Sequence, residues 1–290
     1  MKKLLVVATI PVVSAIVVLS GVASVGASVG ATAAGSSGGI PIIRAHPGGL
    51  SNGSLPTVSL NWSGYAATSA TPFTYASTEF VQPSVTCNGT PHVYTSNWVG
   101  LDGFNDETVE QDGTAATCLK KSGYETPWYY AWIEMYPLPE VVAFGVTPGD
   151  VISASVRYDS GRFTLTITDV TTGRTKTQVA SNSKAKRSSA EWIIERPAGC
   201  NHTLTKCFLF ALADFGTTTM DDNVATVQGG TPTGLSSLRH TYPIFMVQNT
   251  SDGGFYTLDT VGSVHAASNS FSVKWLHTGK VTPITLGPKS

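Results

Sequence analysis

The chain has 290 residues, 18 basic and 19 acidic, with a formal net charge of −1 at pH 7. Charged residues make up only 13% of it, against about 25% in typical globular proteins, and "KAKR" at 184–187 is a lone short basic cluster. Without a basic stripe there is no footprint for a nucleic-acid backbone, and a surface of Thr, Ser, Asn and Gly keeps its character as pH falls, which suits an acidic exterior.

Lys2 and Lys3 lead into an apolar run from Leu4 to Leu19 and then into "SVGATAAG", the layout of a secretory signal with a small-residue cleavage site. Residues 1–34 are expected to be removed after Ala34, in preference to retention as a membrane anchor. The product would be extracellular and free of the membrane, with 16 basic against 19 acidic side chains. Residues 35–56, "GSSGGIPIIRAHPGGLSNGSLP", have no period and read as a flexible linker or short pro-segment. The folded domain is predicted over 57–290.

From Thr57 onward no stretch has a convincing helical period. Short runs rich in Val, Ile, Thr, Tyr and Phe recur instead, among them "YASTEFVQPSV", "SNWVGLDG", "YYAWIEMYP", "VISASVRY", "FTLTITDV", "AEWIIER", "IFMVQN" and "FSVKWL". Turn clusters separate them, with "YDSGR" and "TTGR" bounding the run Phe163 to Val170. Strands without strand–helix alternation predict one antiparallel all-β domain, a sandwich or jelly roll of two packed sheets.

Cys87, Cys118, Cys200 and Cys207 are an even number in an exported chain, so two disulfides are expected. Cys200 and Cys207 flank "NHTLTK", which looks like a hairpin loop, and this leaves Cys87 with Cys118, although four cysteines permit three pairings. Metal binding is the poorer reading, since no C-x-x-C occurs and the six histidines are scattered.

Most familiar hydrolase signatures are missing. "YDSG" at Tyr158–Gly161 resembles the D-[ST]-G of pepsin-like proteases, but it occurs once, where a hairpin must turn. There is no G-x-S-x-G elbow, no H-E-x-x-H and no phosphate loop. What remains are carboxylates and amides on apolar strands. In "SAEWIIER", period two puts Glu191, Ile193 and Glu195 on one face and Ala190, Trp192 and Ile194 on the other. In "VEQDG", Gln111 shares a face with Val109, and Glu110 shares the other with Asp112. Two strand carboxylates suit a glycosidase. A Glu that takes a proton from water, beside a Gln that donates to an oxyanion, suits peptide hydrolysis.

The order and wording of "NWSGY", "EFVQPSV", "WVGLDG", "VEQDG", "YYAWIEMYP", "VTPGD", "DVTTGRT", "AEWIIERP" and "ADFGTTT" resemble the glutamic peptidases, or eqolisins. The similarity runs from Asn61 to about Thr226, and no site is placed beyond it. It implies a concanavalin-like β-sandwich with a substrate groove on the concave face, and a pepstatin-insensitive acid endopeptidase that works as a monomer on polypeptides without cofactor or metal. Gln111 and Glu191 match the family's catalytic pair. Trp62, Trp98, Asp102, Glu134 and Tyr136 match its groove lining, and Glu195 is left as a rim charge. Departures from the pattern are Glu110 and Asp112 on either side of Gln111, and Met135 for an aromatic. The two-Lys signal and short pro-region read as bacterial. The rival class is a lectin-like or glycosidase jelly roll, which shares the aromatic-faced sheet.

Overall fold

The computed structural model describes residues 37–38, 40–44, 57–90, 93–121, 124–200 and 206–284. The predicted signal segment, much of the linker and most of the "NHTLTK" loop lie outside them. No helix among the described residues is long and apolar enough to cross a membrane.

Two large sheets, almost entirely antiparallel, form a sandwich. The larger has ten strands, with the main order Phe255–Thr257, Thr241–Asn249, Trp62–Thr68, Ser189–Glu195, Val93–Leu101, Val109–Lys121, Tyr124–Tyr136 and Val141–Gly145. The other has eight, with the main order Arg174–Ala180, Arg162–Asp169, Val151–Asp159, Phe73–Val81, Thr217–Val227, Phe271–Trp275 and Asp259–Val261. A small third sheet joins Ser37–Gly38, Ala198–Cys200, Cys207–Leu209 and Thr282–Ile284.

The period-two pattern explains the layering. Ile152, Ala154 and Val156 on one strand and Phe163, Leu165 and Ile167 on the next turn inward from the eight-stranded sheet, to meet Val99, Leu101, Ile133, Ala190, Trp192 and Ile194 from the larger one. All of these are essentially excluded from water, and burial of each large aliphatic or aromatic group contributes about 1.5–3 kcal/mol. Polar contacts also cross the layers: the Trp192 indole donates to the Ser77 carbonyl at 2.8 Å, the Asn97 amide to the Thr218 hydroxyl at 2.9 Å and the Ser63 hydroxyl to the Asp259 carboxyl at 2.6 Å.

The "YDSG" stretch is the expected turn. Ser160 and Gly161 have φ of 50° and 83°, as a two-residue type I′ hairpin requires. The cysteines pair as Cys87–Cys118 and Cys200–Cys207, the latter directly opposite each other across an antiparallel pair. Residues 40–44, within the stretch expected as linker, lie against the body. Ile40 is buried, the Ile42 N–H donates to the Gly103 carbonyl, and Leu60 donates to Ile43.

Candidate active site

Four adjacent strands of the ten-stranded sheet bring the site together in one cross-strand row. Glu191 is opposite Gly100, Gly100 opposite Gln111, and Gln111 opposite Glu134. Side chains directly opposite one another share a face, so Glu191, Gln111 and Glu134 all project from the side away from the sandwich core. Glu191 and Gln111 are two strands apart, roughly 9–10 Å between their backbones, and the residue between them has no side chain. The result is a slot bounded by a carboxyl on one side and an amide on the other.

The amide is oriented. Gln111 Nε2 donates to Glu134 Oε2 at 2.8 Å, which leaves its second amide hydrogen available. Gln111 Oε1 and both Glu191 oxygens have no hydrogen-bond partner, although neither residue exposes any surface. A buried polar atom without a partner is costly. Three around one slot mark a place prepared for groups that arrive from outside, or for water.

Burial raises the Glu191 carboxyl well above its usual range, against a counteracting pull from the Ser189 hydroxyl, and the charges of Asp102, Asp106 and Glu110 add to the rise. Glu110 and Asp112 do not line the groove. Their row partners Leu101, Met135 and Ile133 belong to the sandwich core, so these two acids point to the opposite face, and Glu110 acts on Glu191 only through its charge. Burial lifts Glu110 to about 8 and raises Asp112 in the same direction.

Of the predicted lining residues, Trp62, Trp98, Glu134 and Tyr136 belong to this face by register. Trp62 and Trp98 are fully buried and meet edge to face, 4.9 Å between centroids at 77°. Tyr136 is half-buried on the Glu134 strand, and burial raises its phenol, helped by Glu134 and Glu107. Asp102 is held by the backbone that leads into the Glu191 strand. Its carboxylate accepts the Arg187 and Ser188 N–H groups at 2.6 and 2.7 Å, which clamps the chain just before the Glu191 strand. Burial, then Asp106, raises it to about 7.

Glu195 is not a rim charge. It is fully buried, with Oε2 accepting from the Trp98 indole at 2.8 Å and Oε1 from the Ile40 N–H and the Asn61 amide, both at 3.2 Å. The chain at Ile40 and Asn61 closes over the strand end that sequence alone places at the edge. Sequence reasoning also missed the glycines. A Cβ at Gly100 would lie 3.0 Å from the Trp98 ring, and one at Gly113 only 2.2 Å from the Asn97 carbonyl and 2.6 Å from Trp98 Cβ, so Gly100 makes room for the indole and Gly113 for the backbone and Cβ at its base. The signal was present in "WVGLDG" and "VEQDG", where glycine interrupts strand patterns. The cover was missed as well. Gly103 folds the following loop back onto Trp62 and Val109. Phe104 joins the same apolar cluster with Ile42 against it, and the Arg44 guanidinium sits 4.4 Å over the Phe104 ring.

Among the described residues no group of His, Cys, Asp or Glu could hold a metal ion. Among curated proteins no match is found. Two crystal structures of scytalido-glutamic peptidase, one with a peptide-based transition-state analogue and one with a transition-state analogue inhibitor, each superpose with a TM-score of 0.61 at 23% identity, covering 74% of this chain and 98% of theirs. Aspergilloglutamic peptidase from Aspergillus niger is 27% identical over 63% of this chain and 99% of its own, with a TM-score of 0.49. The scytalido-glutamic structures share the sandwich fold. The model of the Peptidase A4 family matches residues 60–275, well over half of the 290, and the chain therefore belongs to the Peptidase A4 family, that of the glutamic endopeptidases.

Proposed function

We propose that this peptidase cleaves polypeptide chains with Glu191 as proton-transfer group and Gln111 as oxyanion donor. The observation that carries the reading is the shared row: two groups 80 positions apart in sequence flank a slot whose middle is a glycine. In this mechanism Glu191 takes a proton from a water molecule in the slot, and the water oxygen attacks the scissile carbonyl carbon. The Gln111 amide donates to the oxyanion, a neutral donor that does not titrate. Glu191 then passes its proton to the amide nitrogen as the carbon–nitrogen bond breaks, leaving a carboxylic acid and an amine. Glu134 keeps the Gln111 amide turned, and Trp62, Trp98 and Tyr136 supply apolar walls.

The raised Glu191 fits a covered site. A neutral carboxyl cannot take a proton, but desolvation is the largest cause of the rise, and water entering the slot removes that cause. Neither Glu191 nor Gln111 is open to solvent as observed, so substrate entry requires part of the cover to move. We further propose that the protein acts outside the cell, which two disulfides support.

The test is acidic digestion of denatured haemoglobin or casein in the presence of pepstatin. Glu191→Gln and Gln111→Ala should both stay folded and lose at least 10²-fold in turnover, as removal of an oxyanion donor typically does. Full proteolysis by Glu191→Gln would overturn the mechanism.

A further inference from the structure

We infer that Glu195 is a positioning residue for peptide hydrolysis, acting through the Trp98 indole that forms one wall of the slot between Glu191 and Gln111. The inference rests on the dyad reading above. Glu195 is four residues beyond Glu191 on the same strand and the same face, and it takes no part in the proton transfers. Its position is expensive. It has no exposed surface, and among the described residues no cation lies within ion-pair distance of it.

What surrounds it is a set of neutral donors: the Trp98 indole N–H on one oxygen, and the Ile40 N–H with the Asn61 amide on the other. Only a carboxyl offers acceptors on both sides of its fork. A Gln in the same place presents one oxygen and one NH₂, and the NH₂ must face a donor whichever way it turns. The residue type therefore fits an acceptor hub better than a charge. Burial raises its carboxyl to about 8 in spite of these donors, and a protonated oxygen still accepts.

The tether matters because of where the ring lies. Trp98 is two residues before Gly100 on the same strand, and its Cζ3 is 3.0 Å from where a Gly100 Cβ would be. The indole thus leans toward Gly100 and bounds the slot on that side. Its far side meets Trp62 edge to face, and Gly113 opposite it leaves space for its base. Packing alone limits its sliding, whereas the N–H bond to Glu195 also selects which way round the indole sits. Small misplacements next to reacting atoms lower turnover strongly, about 10²-fold for an ångström.

The experiment is a double-mutant cycle on the full chain with Glu195→Gln, close in shape to the original, and Trp98→Phe, which keeps an aromatic ring and removes the indole N–H. Steady-state kinetics on one peptide substrate is combined with near-UV circular dichroism. Glu195→Gln should lower kcat about 5- to 20-fold with KM changed less than about threefold, because the ring shapes the reacting slot and not remote binding. It should also alter the indole dichroism. In the Trp98→Phe background the same change should cost less than about twofold, since the N–H through which Glu195 acts is already gone. Multiplying losses, or an unchanged kcat with unchanged dichroism, would overturn the inference. Loss of activity with equal falls in melting temperature and no coupling would reduce Glu195 to a purely structural role and likewise overturn it. The underlying reading fails separately, through an inactive wild type or an active Glu191→Gln.

Discussion

Replacing Gly100 by Ala tests the slot itself. The added methyl would lie 3.0 Å from Trp98 Cζ3, 3.2 Å from Gln111 Cβ and 3.2 Å from the Glu110 carbonyl. Carbon atoms pack comfortably at about 3.5–4.0 Å, so the neighbours must give by roughly half an ångström. The Glu110 carbonyl belongs to the sheet ladder and Gln111 Cβ is fixed by that backbone. The indole is the movable partner, and it is tied to Glu195 and packed on Trp62. Overpacking of this kind costs about 1–3 kcal/mol, which in a domain this size lowers the melting temperature by roughly 2–4 °C per kcal/mol. Activity should suffer more than stability. If a full ångström costs about 10²-fold, half of one should cost about tenfold in kcat/KM, or about 1.4 kcal/mol of transition-state stabilisation. Calorimetry and peptide kinetics on the same preparation measure both. A variant that melts lower yet keeps full kcat/KM would refute the placement of the chemistry over Gly100. One with neither change would refute the close approach.

Buried carboxyls set the pH dependence of stability. Glu110 and Glu195 are lifted to about 8, and Asp102 and Asp259 to about 7, burial being the largest cause in each. Unfolded carboxyls titrate near 4, so between about pH 4 and 8 the folded protein keeps protons that the unfolded chain has released. Stability is then fully present below about pH 4 and declines as pH rises through that window. A melting temperature higher at pH 7 than at pH 4 would contradict this. For the disulfides, separations of 31 and 7 residues give about 3.7 and 2.4 kcal/mol in the chain-entropy relation. Removing Cys87–Cys118 should therefore lower the melting temperature more than removing Cys200–Cys207, and the reverse order would count against the entropic account. Asp102→Ala should leave the Arg187 and Ser188 N–H groups without acceptors, at about 1–3 kcal/mol each. Asp102→Asn, which tolerates the residue's φ of 69°, should recover part of that loss in thermal melts.

How much of this was readable beforehand divides along one physical line. Alternation within a strand is local, so the faces of "SAEWIIER" and "VEQDG" were legible, as were the turn at Ser160–Gly161 and the two-sheet class. The pairing of Glu191 with Gln111 needed a family resemblance, because register between strands 80 residues apart depends on ladders no local pattern records. Glu195 was misread for the same reason: what buries it is Ile40 and Asn61, far away in sequence. The bonds of Asp102 to the backbone of 187–188 were likewise invisible, because they join positions some 85 residues apart. The region after Thr226, which offered no motif, also builds the structure. Asp259 is fully buried and accepts from the Ser63 hydroxyl at 2.6 Å.

The row that unites Glu191, Gly100, Gln111 and Glu134 makes the site a matter of reading frame. One residue inserted into the Gln111 strand would turn Gln111 inward and bring Glu110 or Asp112 to the groove, since a slip of one exchanges the two faces. Turns such as Ser160–Gly161, which belong to the other sheet, carry no such restriction. The chain is thus free to diversify in its connections and in the walls it raises around the groove, while the spacing within four neighbouring strands stays fixed by arithmetic.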